Sequence, residues 1–173
     1  MTTYTPCGRI FLIFFLFLRY TSADLVYDVC KQTRNYSLCT EILYKASGYS
    51  DSTDVKGLAR IMIEASRSRA AHNLVYVRGL INNQNSTNLD DFNQCLQVCY
   101  KDYRLVVKAF IPNAIQSLSS GSNFDAAVAI LLSADHILSC QDENCVKMSS
   151  NLNDRCNEYA DFAQIVADVL RIA

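Results

Sequence analysis

Tryptophan is absent from the 173-residue sequence, histidine and proline occur twice each, glycine five times, and the formal net charge is only −1. So little glycine and proline excludes collagen-like and low-complexity chains, and an apolar half with almost no net charge excludes a disordered one. Five glycines leave little from which to build a Gly-rich phosphate loop. No basic stripe interrupts the mixed charges, so binding to nucleic acid or to an anionic membrane surface has no electrostatic footprint. Neither His72 nor His136 accompanies a recognisable nucleophile motif, and no papain-like or caspase-like sequence surrounds a cysteine. No enzyme and no cofactor are indicated. Long hydrophobic runs are also lacking. Ile10 to Leu18 is nine residues and reaches about 14 Å as a helix, roughly half the hydrocarbon core of a bilayer.

That run follows Arg9 and precedes Arg19-Tyr20-Thr21-Ser22-Ala23, with no acid in residues 1–23. A charged n-region, a short apolar h-region and a small-residue exit make a secretory signal peptide cleaved after Ala23, and leave residues 24–173 without a membrane attachment. Cleavage takes Cys7, Arg9 and Arg19 away. Fourteen of the 16 basic residues then face 17 acidic ones, a net charge of −3, and seven of eight cysteines remain. On the secretory route cysteines read as disulfides. Cys95-x3-Cys99 and Cys140-x4-Cys145, which have tolerable zinc spacing, therefore predict no metal site. The sequons Asn35-Tyr36-Ser37 and Asn85-Ser86-Thr87 are glycosylation acceptors on the same route.

With so few breakers and no alternating strand pattern, the mature chain reads as all-α. From the N-cap Asp54 to about Leu80, Leu58, Ile61, Met62, Ala65 and Val75 share a face, ending at Gly79 and the polar run 82–88. A second helix, starting after Leu89-Asp90, carries a seam of Phe92, Leu96, Cys99, Tyr103, Val106 and Phe110 in steps of four and three. Ile115 and Leu118 extend it past Pro112, which is expected to bend or break it. After the turn 119–123, a third helix places Phe124, Val128, Leu131, Asp135 and Leu138 on one face, with Ala127, Ile130, Ala134 and Ile137 beside it. Its seam spacing makes Phe124 a core residue. A last helix from about Asn153 carries Tyr159, Phe162, Ile165, Val166, Val169 and Leu170. The architecture expected is an up-down four-helix bundle over 54–173, preceded by a helical hairpin over 24–50 and stapled by disulfides.

Cys30 and Cys39 lie nine positions apart around a polar turn, a loop that closes easily. Facing residues of antiparallel helices keep a nearly constant index sum. Cys99 with Cys140 and Cys95 with Cys145 differ in that sum by only one, so a bond Cys99–Cys140 would staple neighbouring helices and Cys95–Cys145 would add a second rung. Two assignments stand for Cys145, with Cys95 or with Cys156. The first leaves Cys156 as a free thiol.

Asp24-Leu25-Val26-Tyr27-Asp28-Val29-Cys30-Lys31-Gln32-Thr33-Arg34-Asn35-Tyr36-Ser37-Leu38-Cys39 resembles the N-terminal hairpin of the plant invertase and pectin methylesterase inhibitor family. The likeness continues at Leu58 to Ala65, at Leu96-x-x-Cys99-x-x-x-Tyr103, at Pro112-Asn113-Ala114-Ile115, at Ser133-Ala134-Asp135 before Cys140, and through 149–170. The resemblance implies disulfides Cys30–Cys39 and Cys99–Cys140. It also implies a secreted inhibitor of the cell wall or apoplast, or of the vacuole, that docks on and occludes a carbohydrate-active enzyme. Asn35-Tyr36 and Pro112-Asn113-Ala114-Ile115 are closer to the invertase branch, which makes acid invertase (β-fructofuranosidase) the expected partner. Pectin methylesterase is the alternative, and a non-inhibitory helical binding protein the alternative of another class.

Invertase inhibitors present a Pro-Lys-Phe motif after a glycine. Here that place reads Gly121-Ser122-Asn123-Phe124, one residue shorter, keeping the aromatic and lacking proline and lysine. The missing cation removes a charge-assisted contact worth about 1.5–3 kcal/mol when desolvated. The resemblance places the target contact at Gly121, Ser122, Asn123 and Phe124. Cys95, Cys145 and Cys156 depart from the family pattern.

Overall fold

A computed structural model describes residues 22–46, 52, 54–83, 90–141 and 149–173. Every regular element among them is a helix: α1 (Ser22–Cys30), α2 (Tyr36–Lys45), α3 (Val55–Asn82), α4 (Asp90–Leu105), α5 (Ile111–Ser119), α6 (Asn123–Leu138) and α7 (Ser150–Ile172). The expected signal segment, up to Thr21, lies outside the described residues, as do Asn85 and Cys145. Among the described residues no helix is long and apolar enough to cross a membrane.

Local chemistry sets the helix ends. The Asp54 carboxylate accepts the Gly57 amide at 2.7 Å and opens α3, as its N-cap position predicts. Ser149 performs the same role for α7 through the Leu152 amide, so the helix begins at Ser150, three residues before the expected start at about Asn153. At Pro112 the chain neither breaks nor leaves the helical region. A π-helical turn at Val106–Phe110 joins α4 to α5, with Leu105, Phe110 and Ile111 all in right-handed backbone geometry and the Ile111 amide reaching back to the Val106 carbonyl. Proline has no amide to donate and its ring crowds the carbonyl four residues back, and the wider π spacing accommodates both.

Cross-helix pairs define the packing. Asp102 meets His136 while Cys99 meets the Cys140 carbonyl, so α4 and α6 run antiparallel. Ser133 pairs with Tyr159 and Gln141 with Asn157, which sets α7 antiparallel to α6. Arg69 reaches Glu158 and Asn73 reaches Arg155, the same sense for α3 and α7. The α6–α7 pair is the most extensive, and small residues explain its closeness: Ala126, Ala127 and Ala134 are buried on α6, and Ala160, Ala163 and Ala167 on α7. The second half of α7 is buried nearly all round, because α3, α6 and the hairpin all cover it. Each of its fully buried side chains, Tyr159, Ile165, Val166 and Leu170 among them, contributes about 1.5–3 kcal/mol. On α3 the buried row runs Ala59, Ile63, Ser66, Ala70, Asn73 and Val77. Val75, expected on the core face, is 69% exposed, because the row continues through small and polar residues that an apolar count passes over.

The hairpin of α1 and α2 is closed by the Cys30–Cys39 disulfide, with Cα atoms 5.5 Å apart. Asn35 caps α2 through the Leu38 amide at 3.0 Å and leaves its own side chain exposed. Arg34 in the turn then clamps the hairpin to α7. Its guanidinium donates to both Asp168 oxygens, at 2.8 and 2.9 Å, and to Gln164 at 2.7 Å. Burial pushes the Asp168 carboxyl up, but the Arg34 hydrogen bonds and charge, helped by Arg171, outweigh it and hold the group below its ordinary value. A carboxyl depressed on folding stabilises the fold above its unfolded pKa of about 4 and loses that contribution as pH falls further. Asp168→Asn should therefore cost about 1–2 kcal/mol at pH 7, and urea unfolding at pH 3 should show the gap to wild type nearly closed. An equal gap at both pH values would assign the loss to packing instead.

Candidate functional site

The corner between α5 and α6 is built by a hydrogen-bonded stop signal. Gly121 takes φ +86°, a left-handed conformation costly for any residue with a Cβ. Its amide donates to the Leu118 carbonyl at 3.2 Å, and the Ser122 amide donates to Ser117 at 2.9 Å, the pair of bonds that satisfies the last carbonyls of a helix. Ser122 and Asp125 bind each other across the first turn of α6. Asn123 Oδ1 is the one buried side-chain oxygen or nitrogen among the described residues without a hydrogen-bond partner.

Phe124 is not a core residue: it is 75% exposed, the most exposed large apolar side chain among the described residues. Val128 and Leu132, at four-residue steps from it, are exposed at 37% and 45%. At about 100° per residue, Phe124, Val128 and Leu132 fall opposite Ala126, Ile130, Ser133 and Ile137, which make the true core face of α6. The sequence reading placed Phe124 and Val128 on the core side because α6 is apolar over a wide arc and alanine carries little hydrophobic signal. The exposed row adjoins a shallow groove against α5, lined by Phe110, Asn113, Gln116 and Ser117. Phe124 thus heads an exposed row with Val128, which sequence reasoning put on the same helix face, and Leu132, which it did not. The signal that could have turned the row outward is the competing stripe of alanines on the same helix.

The remaining cysteines lie elsewhere. Cys99, Cys140 and Cys156 are buried free thiols, so the Cys99–Cys140 staple implied by the resemblance is not formed in this structure. Cys99 Sγ instead lies 3.7 Å from the Cys140 carbonyl. Interaction with the Cys156 and Cys99 sulfurs and then burial raise the Cys140 thiol pKa, whereas interaction with Cys140 and Tyr103 holds Cys156 below its ordinary value. Tyr103 Oη lies 3.6 Å from Cys156 Sγ and accepts from Asn73 Nδ2 at 3.2 Å, and Asn73 Oδ1 accepts from Arg155 at 3.1 Å. Arg155 stacks on Tyr76 at 4.3 Å. Nearby, burial pushes the Tyr159 phenol up to about 12 against its hydrogen bond with Ser133. Cys95 is disulfide-bonded, and Cys145, its expected partner, is outside the described residues.

His136, Asp102 and Ser139 do meet, but in an order that performs no acyl chemistry. Asp102 lies between the other two, 3.2 Å from His136 Nδ1 and accepting from Ser139 Oγ at 2.7 Å. A nucleophilic serine must face the imidazole, and this one faces the carboxylate. The open groove of about 890 Å³ between α2, α3 and α7 is lined by Lys45, Arg60, Arg67, Arg69 and Arg155, of which Lys45, Arg67 and Arg69 are paired with Glu41, Glu64 and Glu158 and Arg155 is held by Asn73 and Asn151. Among the described residues no cluster of His, Cys, Asp and Glu is arranged to hold a metal ion.

Solved pectin methylesterase inhibitor structures share this fold. A mutant form of a pectin methylesterase inhibitor from Arabidopsis superposes with a TM-score of 0.66 at 17% identity, covering 83% of this chain and 93% of that one. A pectin methylesterase inhibitor from Arabidopsis thaliana does so with 0.58 at 17%, covering 85% and 95%. In sequence, the chain is 26% identical over 101 residues to the Arabidopsis thaliana cell wall / vacuolar inhibitor of fructosidase 1, a match spanning 58% of this chain and 46% of that relative. The plant invertase/pectin methylesterase inhibitor family model matches residues 24–172, nearly the whole span outside the expected signal segment. This helical chain, with its disulfide-closed hairpin, belongs to that family of enzyme inhibitors.

Proposed function

We propose that the protein is a secreted inhibitor that docks the α5–α6 corner on a plant carbohydrate-active enzyme, acid invertase in first place, and occludes its cleft. The observation that carries the reading is Phe124. It stands 75% exposed at the corner where the resemblance places the target contact, at the head of an apolar row on a rigid helix. An exposed aromatic beside further apolar side chains is the ordinary chemistry of a binding hot spot. A stapled hairpin and a capped corner add preorganisation, which lowers the ordering cost of association. The family and the fructosidase inhibitor among its relatives favour invertase, and the cell wall or the vacuole as its place of action.

The missing Pro-Lys pair favours a second reading, in which the same surface meets pectin methylesterase or a non-enzymatic partner. Protein purified from a secreting host and titrated against plant acid invertase and pectin methylesterase, between pH 4 and 7, separates these readings. Inhibition of invertase at micromolar concentration or below is expected. Inhibition of pectin methylesterase alone would transfer the reading to that enzyme, and inhibition of neither would leave a binding protein.

A further inference from the structure

The groove between α2, α3 and α7 holds more positive charge than its carboxylates balance. Glu41, Glu64 and Glu158 each bind one cation, Lys45 at 2.8 Å, Arg67 at 3.5 Å and Arg69 at 3.1 Å. Arg60 and Arg155 are left over, and among the described residues neither has a carboxylate partner. This surplus stands on a chain with 14 basic against 17 acidic residues over 24–173, so it is a local feature of the groove.

Arg155 is a fixed cation. Its Nε donates to Asn151 Oδ1 at 2.8 Å, its Nη1 donates to Asn73 Oδ1 at 3.1 Å, and the guanidinium stacks on the Tyr76 ring at 4.3 Å. Both acceptors are neutral amides, so the charge is held in place without being neutralised, and among the described residues nothing takes the Nη2 donors. A planar guanidinium oriented in advance gives up little freedom when it receives a carboxylate. Arg69 is oriented in the same way, its Cζ 5.0 Å from the centre of the Phe162 ring.

The spacing of the two unbalanced cations points to the class of ligand. Arg60 and Asn73, the α3 residue that holds Arg155, are 13 positions apart, about 20 Å along the helix. Between them Ser68 and His72 line the same groove with groups that hydrogen-bond to hydroxyls. A single small anion does not span that distance. A linear chain with carboxylates at intervals and hydroxyls between them does.

We propose that this groove binds a linear acidic oligosaccharide, a chain of uronic acid units whose carboxylates reach Arg155 at one end and Arg60 at the other. The site is built from α2, α3 and α7, whereas the contact with an inhibited enzyme is assigned to the α5–α6 corner. One molecule can therefore be held on an acidic polysaccharide with its docking corner free.

The test needs no target enzyme, so its failure is separate from failure of the inhibitory reading. The full secreted protein is titrated by calorimetry at low ionic strength with three probes: an oligogalacturonate long enough to span the groove, its fully methyl-esterified form, which keeps the rings and loses the charge, and an oligoglutamate of equal charge. The acid saccharide should bind, more weakly as salt is added, and the ester should not. Arg155→Gln and Arg60→Gln should each weaken binding by about tenfold. Arg104→Gln, which removes an exposed cation of α4 outside the groove, should change it by less than about twofold. Arg155→Gln also takes a partner from the buried Asn73, so its circular dichroism is compared with wild type; Arg60 is exposed, and its variant decides the matter if Arg155→Gln unfolds. No binding of the acid saccharide, equal binding of the ester, or equal losses at Arg60 and Arg104 would overturn the proposal. Oligoglutamate binding as tightly as the saccharide would overturn the assignment to a sugar chain.

Discussion

Replacing Phe124 with alanine is expected to raise the concentration for half-inhibition of the target by about 10- to 100-fold while leaving the melting temperature unchanged. The two halves have different causes. In the free protein the ring is 75% exposed, so its removal forfeits little burial, and alanine is the better helix former in the first turn of α6. Surface changes of this kind stay within about 0.5 kcal/mol. On docking, the same ring would pass from water into an interface. Aromatic anchors of that kind typically cost about 2 kcal/mol or more when truncated, and every 1.4 kcal/mol is tenfold in affinity. Val75→Ala is the control: Val75 is 69% exposed and lies on α3, outside the row, so inhibition should change less than about twofold. Equal effects at Phe124 and Val75 would mean that the docking face is elsewhere. A graded loss through Phe124, Val128 and Leu132 would map the row as one continuous surface.

Helix number, caps and seams were readable because each rests on a short-range rule. Asp54 precedes an apolar stripe and caps it, and the steps of four and three from Phe92 to Val106 keep one face of α4 buried, with Leu96, Cys99 and Tyr103 fully covered. Gly121 could be seen as a turn residue because so few glycines compete for that role. Phe124 was misplaced for the opposite reason. When a helix is apolar on two sides, periodicity cannot say which side faces inward, and the deciding term is the close approach that Ala126, Ala127 and Ala134 permit against the alanines of α7. Side-chain volume across an interface settles that choice, and a single helix does not contain it. Pro112 shows another limit: the rule that proline disrupts a helix is sound, but one π turn upstream absorbs the disruption without ending the helix. The sulfur cluster was half legible. Index sums bring Cys99 to Cys140, whereas Cys156 joins them only because α7 packs on both α3 and α6.

Tyr103 should be the costliest single truncation near that cluster. It is fully buried, and Tyr103→Ala removes its ring from the core, an expected loss of about 3–5 kcal/mol. For a domain of this size that is a fall in melting temperature of about 6–20 °C. Tyr103→Phe keeps the ring and deletes only the oxygen, which strands the buried Asn73 amide donor and should cost about 1–2 kcal/mol. Urea unfolding under reducing conditions, which holds all three thiols in one state, separates the two terms. If Tyr103→Phe were as damaging as Tyr103→Ala, the polar chain from Arg155 through Asn73 to Tyr103 would dominate over packing. A neutral Tyr103→Phe would mean that Asn73 finds another acceptor. The phenol adds a pH signature of fixed sign. Burial first, then the Cys156 contacts, push its pKa far above the ordinary value of 10.0, so folding favours the protonated form. That contribution is complete below about pH 10 and is lost as pH rises beyond it. Wild-type stability should therefore decline with alkali more steeply than that of Tyr103→Phe. Part of the slope should persist in the variant, because Tyr159 and Cys140 are raised in the same direction.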